Sequence, residues 1–315
     1  MTSGRDDRIA VGVVGVGHLG RHHARLYAEN EGARLVAVAD IDPDRAREVA
    51  AAHGCEACGD ARELIGRVRA ASVSVPTALH REVAVPLLEA GIDVLVEKPL
   101  APTLEDADAV NDAAERGSAL VMVGHSERFN PAVRALAREV RAPRFFEIHR
   151  LSEFTARSTD VDVVLDLMIH DLDLLLHLDG TEVVSIDAVG VAALTDKVDI
   201  ANARVRMSSG CVANLTASRI STEPVRRVRV FQARTYIVCD SREGSVERYR
   251  VVVKDGAPKI EHERLPVERG EPLGFELAAF LDAVRSRSRP VVDGFAGRKA
   301  VELAHRVRAA MASAR

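Results

Sequence analysis

The chain has no tryptophan and only eight Phe and three Tyr among its 315 residues. Surfaces that stack nucleobases pair aromatic rings with a positive face. Here rings are scarce, the formal net charge is −4 and no basic block occurs, so nucleic acid is not expected as a partner. No apolar run is long enough to cross a bilayer, so no membrane role is expected. The polar start, Met1 to Arg8, lacks the apolar stretch of a signal peptide, and a cytoplasmic location is expected. Cysteine is limited to Cys55, Cys58, Cys211 and Cys239. Cys55 and Cys58 form a lone CxxC with only His53 nearby as a further ligand, and the pair follows a helix instead of opening one. The thiols are therefore read as structural or incidental, not as a redox or metal site. Lysine is the other shortage: only Lys98, Lys197, Lys254, Lys259 and Lys299 stand among 43 cationic side chains, and the rest are Arg.

What is present points to two domains. The length suits two cores, and 47% hydrophobic with 29% charged residues is a globular balance. Strands are expected at 9–14, 34–39, 71–75, 93–96 and 119–123, alternating with helices at 19–30, 43–53, 78–90 and 104–116. Asp42-Pro43-Asp44 supplies a helix start, with a capping carboxylate and Pro in the first turn. Repeated β-α units of this length build a doubly wound parallel sheet, the Rossmann architecture. The pattern changes at Gly124. A helix at 131–140 leads into extended stretches at 144–152, 183–192, 201–207, 211–219, 225–239 and 245–253, with one helix, 162–178, inserted early. Ser208-Ser209-Gly210 reads as a hairpin turn. The fold class is thus α/β, with a Rossmann domain over 1–124 and an α+β domain on an open, mostly antiparallel sheet over 125–315. Helices at 274–285 and 296–312 close the chain and are candidates to pack back on the first domain.

Gly15-Val16-Gly17-His18-Leu19-Gly20 follows the first strand and opens the first helix. In such a loop the first Gly permits a tight turn, the second admits a pyrophosphate to the backbone, and the third lets helix and strand pack closely. The helix start adds N–H donors and a partial positive charge. Asp40 ends the second strand, where a carboxylate accepts hydrogen bonds from the adenosine ribose hydroxyls. A 2′-phosphate there would meet Asp40 and Asp42 and no cation before Arg45, so NAD is expected over NADP.

Lys98 lies in Glu97-Lys98-Pro99, at the carboxyl end of the strand over 93–96. Ligands bind at that end in open α/β sheets. In a chain that otherwise uses Arg, a Lys here indicates an amine able to release its proton. An ordinary ion pair with Glu97 is the plainer alternative. Farther on, Asp166, His170, Asp173 and His177 form one polar stripe on an apolar helix. Such groups find partners or face a cleft. A metal site, a satisfied network and an acid-base pair compete. The network suits Asp173 and His177. The pair suits Asp166 and His170, with His accepting the proton near neutral pH. No closing ligand stands nearby, so no metal is expected.

In sequence order, the glycine loop, Asp40, Val75-Pro76-Thr77-Ala78-Leu79-His80, Glu97-Lys98-Pro99, Gly124-His125-Ser126-Glu127-Arg128-Phe129-Asn130-Pro131 and Asp166-x-x-x-His170 resemble the Gfo/Idh/MocA family of NAD(P)-dependent sugar and cyclitol oxidoreductases. The resemblance covers essentially the whole chain. It implies a Rossmann domain followed by a domain whose open sheet packs on another subunit, hence a homodimer or homotetramer. It implies a cis peptide before Pro99. It also implies that Lys98, Asp166 and His170 meet at the nicotinamide and remove a hydroxyl proton as hydride leaves the carbon. His170 is favoured as the base, with Lys98 polarising the same oxygen. The implied NAD contacts are Gly15, Gly17, His18, Leu19, Gly20, Asp40, Pro76, Thr77, His80, Glu97 and Lys98. One departure is clear: Val163-Val164-Leu165 stand where many members carry glycines, so sugar specificity does not carry over.

The run from Arg150 to Arg157, leading into Asp166, resembles more narrowly the nucleotide-sugar branch, the UDP-N-acetylglucosamine 3-dehydrogenases that form a 3-keto sugar. A UDP-sugar needs cations for its diphosphate. Arg128, Arg150, Arg157 and Arg219, with Asn130, are the candidate substrate contacts. A reductase of an aldose, keto-sugar or cyclic ketone and a non-catalytic NAD-binding sensor remain as alternatives. The intact trio of Lys98, Asp166 and His170 weighs against the sensor.

Overall fold

The computed structural model describes residues 7–154 and 161–313. The chain divides into two compact units, Met1–Ser126 with Leu273–Arg298, and Glu127–Pro272 with Lys299–Arg315.

The first unit is built on β1 (Ile9–Val14), β2 (Ala33–Ala39), β3 (Glu56–Cys58), β4 (Ala70–Val73), β5 (Asp93–Glu97) and β6 (Val121–Gly124). All run parallel, in the order β3-β2-β1-β4-β5-β6. Every residue of β4 and β5 is buried, as in strands covered on both faces by crossover helices. Those helices are α1 (Gly20–Glu29), α2 (Pro43–His53), α3 (His80–Glu89) and α4 (Leu104–Gly117). α2 starts where its sequence dictates: Asp42 accepts from the N–H groups of Asp44 and Arg45, and Pro43 fills the first turn. α3 is shorter than its apolar pattern, because Thr77–Leu79 winds a 3₁₀ turn ahead of it. The strand order reverses direction between β1 and β4, which opens a crevice at their carboxyl ends.

The second unit begins with α5 (Pro131–Glu139), capped by Asn130, whose side chain accepts from the Ala132 N–H at 2.9 Å. Its sheet comprises β7 (Phe145–Leu151), β8 (Val183–Val191), β9 (Ile200–Met207), β10 (Val212–Ser218), β11 (Val225–Gln232), β12 (Thr235–Asp240), β13 (Ser245–Lys254) and β14 (Ala257–Arg264). The order is β14-β13-β12-β11-β7-β10-β9-β8, and only the β7–β10 pair runs parallel. Every second residue of β7 and β9 is buried, so this sheet has a core face and an open face. The single stretch expected over 225–239 is two strands, turned at Arg234, which takes a φ of 56°. A π-helical turn, Val164–Met168, replaces the start of the long helix expected at 162–178, and α6 (Ile169–Asp179) continues from it.

Two helices close the chain, α7 (Pro272–Ser286) and α8 (Gly294–Ser313). α7 belongs to the first unit. Arg287, just after it, donates to both oxygens of buried Asp93 at 2.7 and 2.6 Å. No helix among the described residues is long and apolar enough to cross a membrane.

Candidate active site

A cleft of about 430 Å³ lies at the carboxyl ends of β1, β2 and β4, within the first unit. Gly15 and Gly17 form part of its wall. Gly15 has a φ of 80°, and a Cβ there would stand 2.5 Å from the Ser74 carbonyl oxygen. A Cβ on Gly20 would stand 1.8 Å from the Gly15 oxygen, so the turn and the helix start close only over bare backbone. Gly17 differs, because its missing Cβ would meet nothing within 4 Å. The protein itself leaves that space empty, as an approach for a ligand's phosphates requires. α1 begins without a side-chain cap, and the N–H groups of Arg21 and His22 turn back onto the Gly17 and Leu19 oxygens at 3.2 and 2.9 Å, so the loop winds directly into the helix. These residues fit a dinucleotide.

Asp40, expected at the ribose end, is buried and lines the same cleft. The N–H groups of Val16 and Asp42 donate to its two oxygens, each at 2.9 Å. Arg45 reaches the same carboxylate at 3.2 and 3.3 Å and reaches Asp42 at 3.1 Å. The backbone N–H of Arg45, more than its charge, holds the Asp42 carboxyl below the usual range. Sequence reasoning counted the two carboxylates but not this guanidinium folded back onto them. It also missed the far wall, which includes Arg62 from the segment after β3 and Leu79, Val83 and Pro86 around α3.

Of the other expected cofactor contacts, Pro76 lines the cleft. His18 and Leu19 are exposed on the loop, and Thr77 opens the 3₁₀ turn. His80 is fully buried, with its ring nitrogens 2.9 Å from the Pro99 oxygen and 3.0 Å from the Val75 oxygen. Burial pushes its pKa down, and the ring ties two backbone turns together.

Glu97 ends β5, and the Lys98–Pro99 peptide is cis, as the family resemblance implied. Glu97 turns inward. One oxygen is 3.0 Å from His23 Nε2, and the other accepts the Lys98 backbone N–H at 3.3 Å. Lys98 itself is half-buried.

In the second unit, Asp166 sits on the π-helical turn and His170 follows in the first turn of α6, both half-buried. π-Helical turns occur disproportionately at functional sites. The residues around His170 are clamped by arginines. Arg150 Nε donates to both oxygens of Asp171 at 3.0 Å, its Nη2 reaches Asp171 at 2.8 Å, and its Nη1 reaches Glu127 at 2.9 Å. Burial disfavours the Arg150 charge, but Asp171 and Glu127 outweigh it and hold the guanidinium protonated. Arg128 Nε donates to Asp173 at 2.8 Å. Burial, and then the Arg128 charge, push His177 down.

Four expected substrate contacts therefore have structural work in the second unit. Arg150 and Arg128 neutralise buried carboxylates. Arg219, also buried, donates to Asp199 at 2.9 Å. Asn130 caps α5 and donates to the Ser241 oxygen at 2.9 Å. The fifth, Arg157, lies outside the described residues. Among the described residues no group of three or more His, Cys, Asp or Glu is placed to hold a metal. Burial pushes the Cys55 thiol up to about 11 and raises Cys58 as well, so neither is poised as a thiolate.

Residues 9–125 match the model of an oxidoreductase family with an NAD-binding Rossmann fold, and residues 132–240 match a Gfo/Idh/MocA C-terminal domain. The chain is 40% identical over 303 residues to the UDP-N-acetylglucosamine 3-dehydrogenase of Acidithiobacillus ferrooxidans, covering 95% of this chain and 96% of that one. It is 28% identical over 318 residues to an inositol 2-dehydrogenase of Rhizobium meliloti, covering 94% of each. A solved structure of the Acidithiobacillus ferrooxidans enzyme matches with a TM-score of 0.91 at 39% identity, covering 97% of this chain and 98% of that one. A levoglucosan dehydrogenase in complex with NADH shares the fold, with a TM-score of 0.87 at 20% identity over 97% of each chain.

Proposed function

Since the chain belongs to the Gfo/Idh/MocA family and is an NAD-dependent oxidoreductase acting on a hydroxyl group, we propose that it oxidises UDP-N-acetylglucosamine to the 3-keto sugar. The observation that carries this reading is the likeness to a UDP-N-acetylglucosamine 3-dehydrogenase at 40% identity along nearly the full length of both chains. Bound NAD supplies the hydride acceptor. The chain's own residues handle the proton. His170 takes it from the reacting hydroxyl, Lys98 polarises the same oxygen as an ammonium, and Asp166 orients the substrate group. Arg150 and Arg128 contribute indirectly: they fix the helix that bears His170 through Asp171 and Asp173. With those two arginines and Arg219 engaged by carboxylates, Arg157 is the remaining candidate of the four for the sugar's diphosphate.

The test is NADH formation with UDP-N-acetylglucosamine beside UDP-glucose, free N-acetylglucosamine and myo-inositol, with a ketone trap present. Turnover confined to the UDP-amino sugar supports the reading. Turnover confined to myo-inositol would fit the likeness to inositol dehydrogenases and discard the nucleotide sugar. Silence on all four favours a reductase or a sensor.

A further inference from the structure

The turn that carries Asp166 starts, like any helix, with N–H groups that have no partner within it. Asp162 takes two of them: its Oδ1 accepts from the Val164 and Leu165 N–H groups, each at 3.1 Å. Its backbone oxygen accepts the first bond of the winding, from the N–H of Asp166 itself at 3.0 Å. The Val163 N–H donates to the Val198 oxygen at 3.0 Å. The other carboxyl oxygen of Asp162, Oδ2, pairs with Arg308 Nε on α8 at 2.7 Å. One residue earlier, Arg219 Nη1 donates to the Val161 oxygen at 2.9 Å. All of these groups lie in the second unit.

Beyond that start the turn is π-wound, with the Ile169 N–H reaching back to the Val164 oxygen. Such winding is rare and survives only where its surroundings hold it. Two kinds of support compete here. Val163, Val164 and Leu165 are buried and anchor the turn by packing. On its other side a cavity of about 330 Å³ opens, lined by Asp162, Leu165, Val198 and Arg308 among others. Packing is incomplete there, and the polar tethers of Asp162 take its place.

We propose that Asp162 is a positioning residue for Asp166: it caps the π-helical turn, fixes the Asp166 backbone directly, and is itself held by Arg308 from the end of the chain. A carboxylate at this place also favours the helix start electrostatically. Where the family resemblance leads one to expect glycines, the chain has bulky Val163-Val164-Leu165, and the cap ahead of them sets where the winding begins. The consequence for turnover rests on Asp166 orienting the substrate group, as read above; the cap itself does not.

Asp162→Ala removes the side-chain cap, whereas Asp162→Asn keeps an accepting oxygen and loses the charge. In the full-length protein, hydrogen–deuterium exchange over 161–170 is expected to quicken by about 2- to 30-fold in Asp162→Ala, the worth of a helix cap. Asp162→Asn should restore most of the protection. Unchanged exchange in Asp162→Ala overturns the cap. With whichever sugar the wild type oxidises, kcat of Asp162→Ala is expected to fall by on the order of 10- to 100-fold while NAD affinity holds. In an Asp166→Ala background the same substitution should cost little further, because residues that act through one another are not additive. Equal losses in both backgrounds overturn action through Asp166 and leave Asp162 as a brace for the fold. Should Asp162→Ala fail to fold, Arg308→Gln, a change at an exposed side chain, decides. Exchange over 161–170 that is about 1.5- to 5-fold faster supports the tether, and unchanged exchange overturns it. Exchange is read without substrate, so the sugar reading can fail separately.

Discussion

At the scale of single residues, the sequence exposes chemistry and hides partners. Asp42 was legible as a cap because a carboxylate ahead of Pro has few other local uses. His80 and Arg150 were not, because nothing local distinguishes a histidine in a pocket wall from one between two carbonyls, or a surface arginine from one between Asp171 and Glu127. Lys98 stood out by its rarity. Lys98→Met is expected to lower turnover by roughly 10²- to 10⁴-fold, the range for a lost proton-handling group, while fluorescence titration still shows NAD binding, because the other NAD contacts remain. Full activity in this variant would remove Lys98 from the mechanism. Asp40 carries a second expectation, sharpened by Arg45. If Asp40 is the ribose acceptor, Asp40→Ala removes it and releases a guanidinium that a 2′-phosphate can engage. NAD affinity is expected to fall about 10- to 100-fold, the worth of one or two charge-assisted hydrogen bonds. NADP should fall much less. Equal losses by calorimetry would show that Asp40 does not read the ribose.

At the scale of elements, legibility followed turn chemistry. The Rossmann elements were readable because Gly, Pro and Asp punctuate them. The β11–β12 hairpin was not, because its tight turn is made by Arg234 at positive φ, without the Gly or Asn that would announce it. β14 was missed because it is an edge strand, mostly exposed, polar and carrying Pro258, a composition that reads as a loop. The connection from β8 to β9 shows how one buried acid shapes such a segment. Asp199 Oδ2 accepts from the N–H groups of Ala193, Leu194 and Thr195 at 2.9, 2.7 and 2.9 Å, and Oδ1 accepts from Thr195 Oγ1 and Arg219. Burial opposes the charge, but these donors outweigh it and hold the carboxyl well below the usual range. A depressed folded-state pKa gives stability that is present above the ordinary Asp range and is lost as pH falls through the folded value. Asp199→Asn is therefore expected to cost about 1–3 kcal/mol at neutral pH. Urea denaturation should show that cost shrinking in acid. A cost independent of pH would mean that the loop is held by shape instead of charge.

At the scale of the whole molecule, the scarce aromatics are not scattered. Of the eight Phe and three Tyr, Phe145, Phe231, Tyr236 and Tyr249 stand in one row across β7, β11, β12 and β13, and His262 on β14 extends it. Ring centroids are 5.5, 4.6, 5.5 and 4.5 Å apart along the row. The flanking residues of β12, Ile237 and Cys239, are buried, so the row lies on the face opposite the core. Cross-strand stacking stabilises the sheet, yet the four Phe and Tyr rings are only half-buried within the chain. A continuous aromatic strip on an open sheet face has the composition of an interface core, where Tyr and Phe are enriched. It is the natural place for a second subunit to pack, and a homodimer or homotetramer is expected. Light scattering that returns the mass of a single chain contradicts this. The sharper test is Tyr236→Glu, which sets a charge in the middle of the row. If the sheet face is the interface, that charge must be desolvated on assembly, and the variant should dissociate toward monomer while still binding NAD in the first unit. If the assembly persists unchanged, the row serves only to brace the sheet and the subunits meet elsewhere.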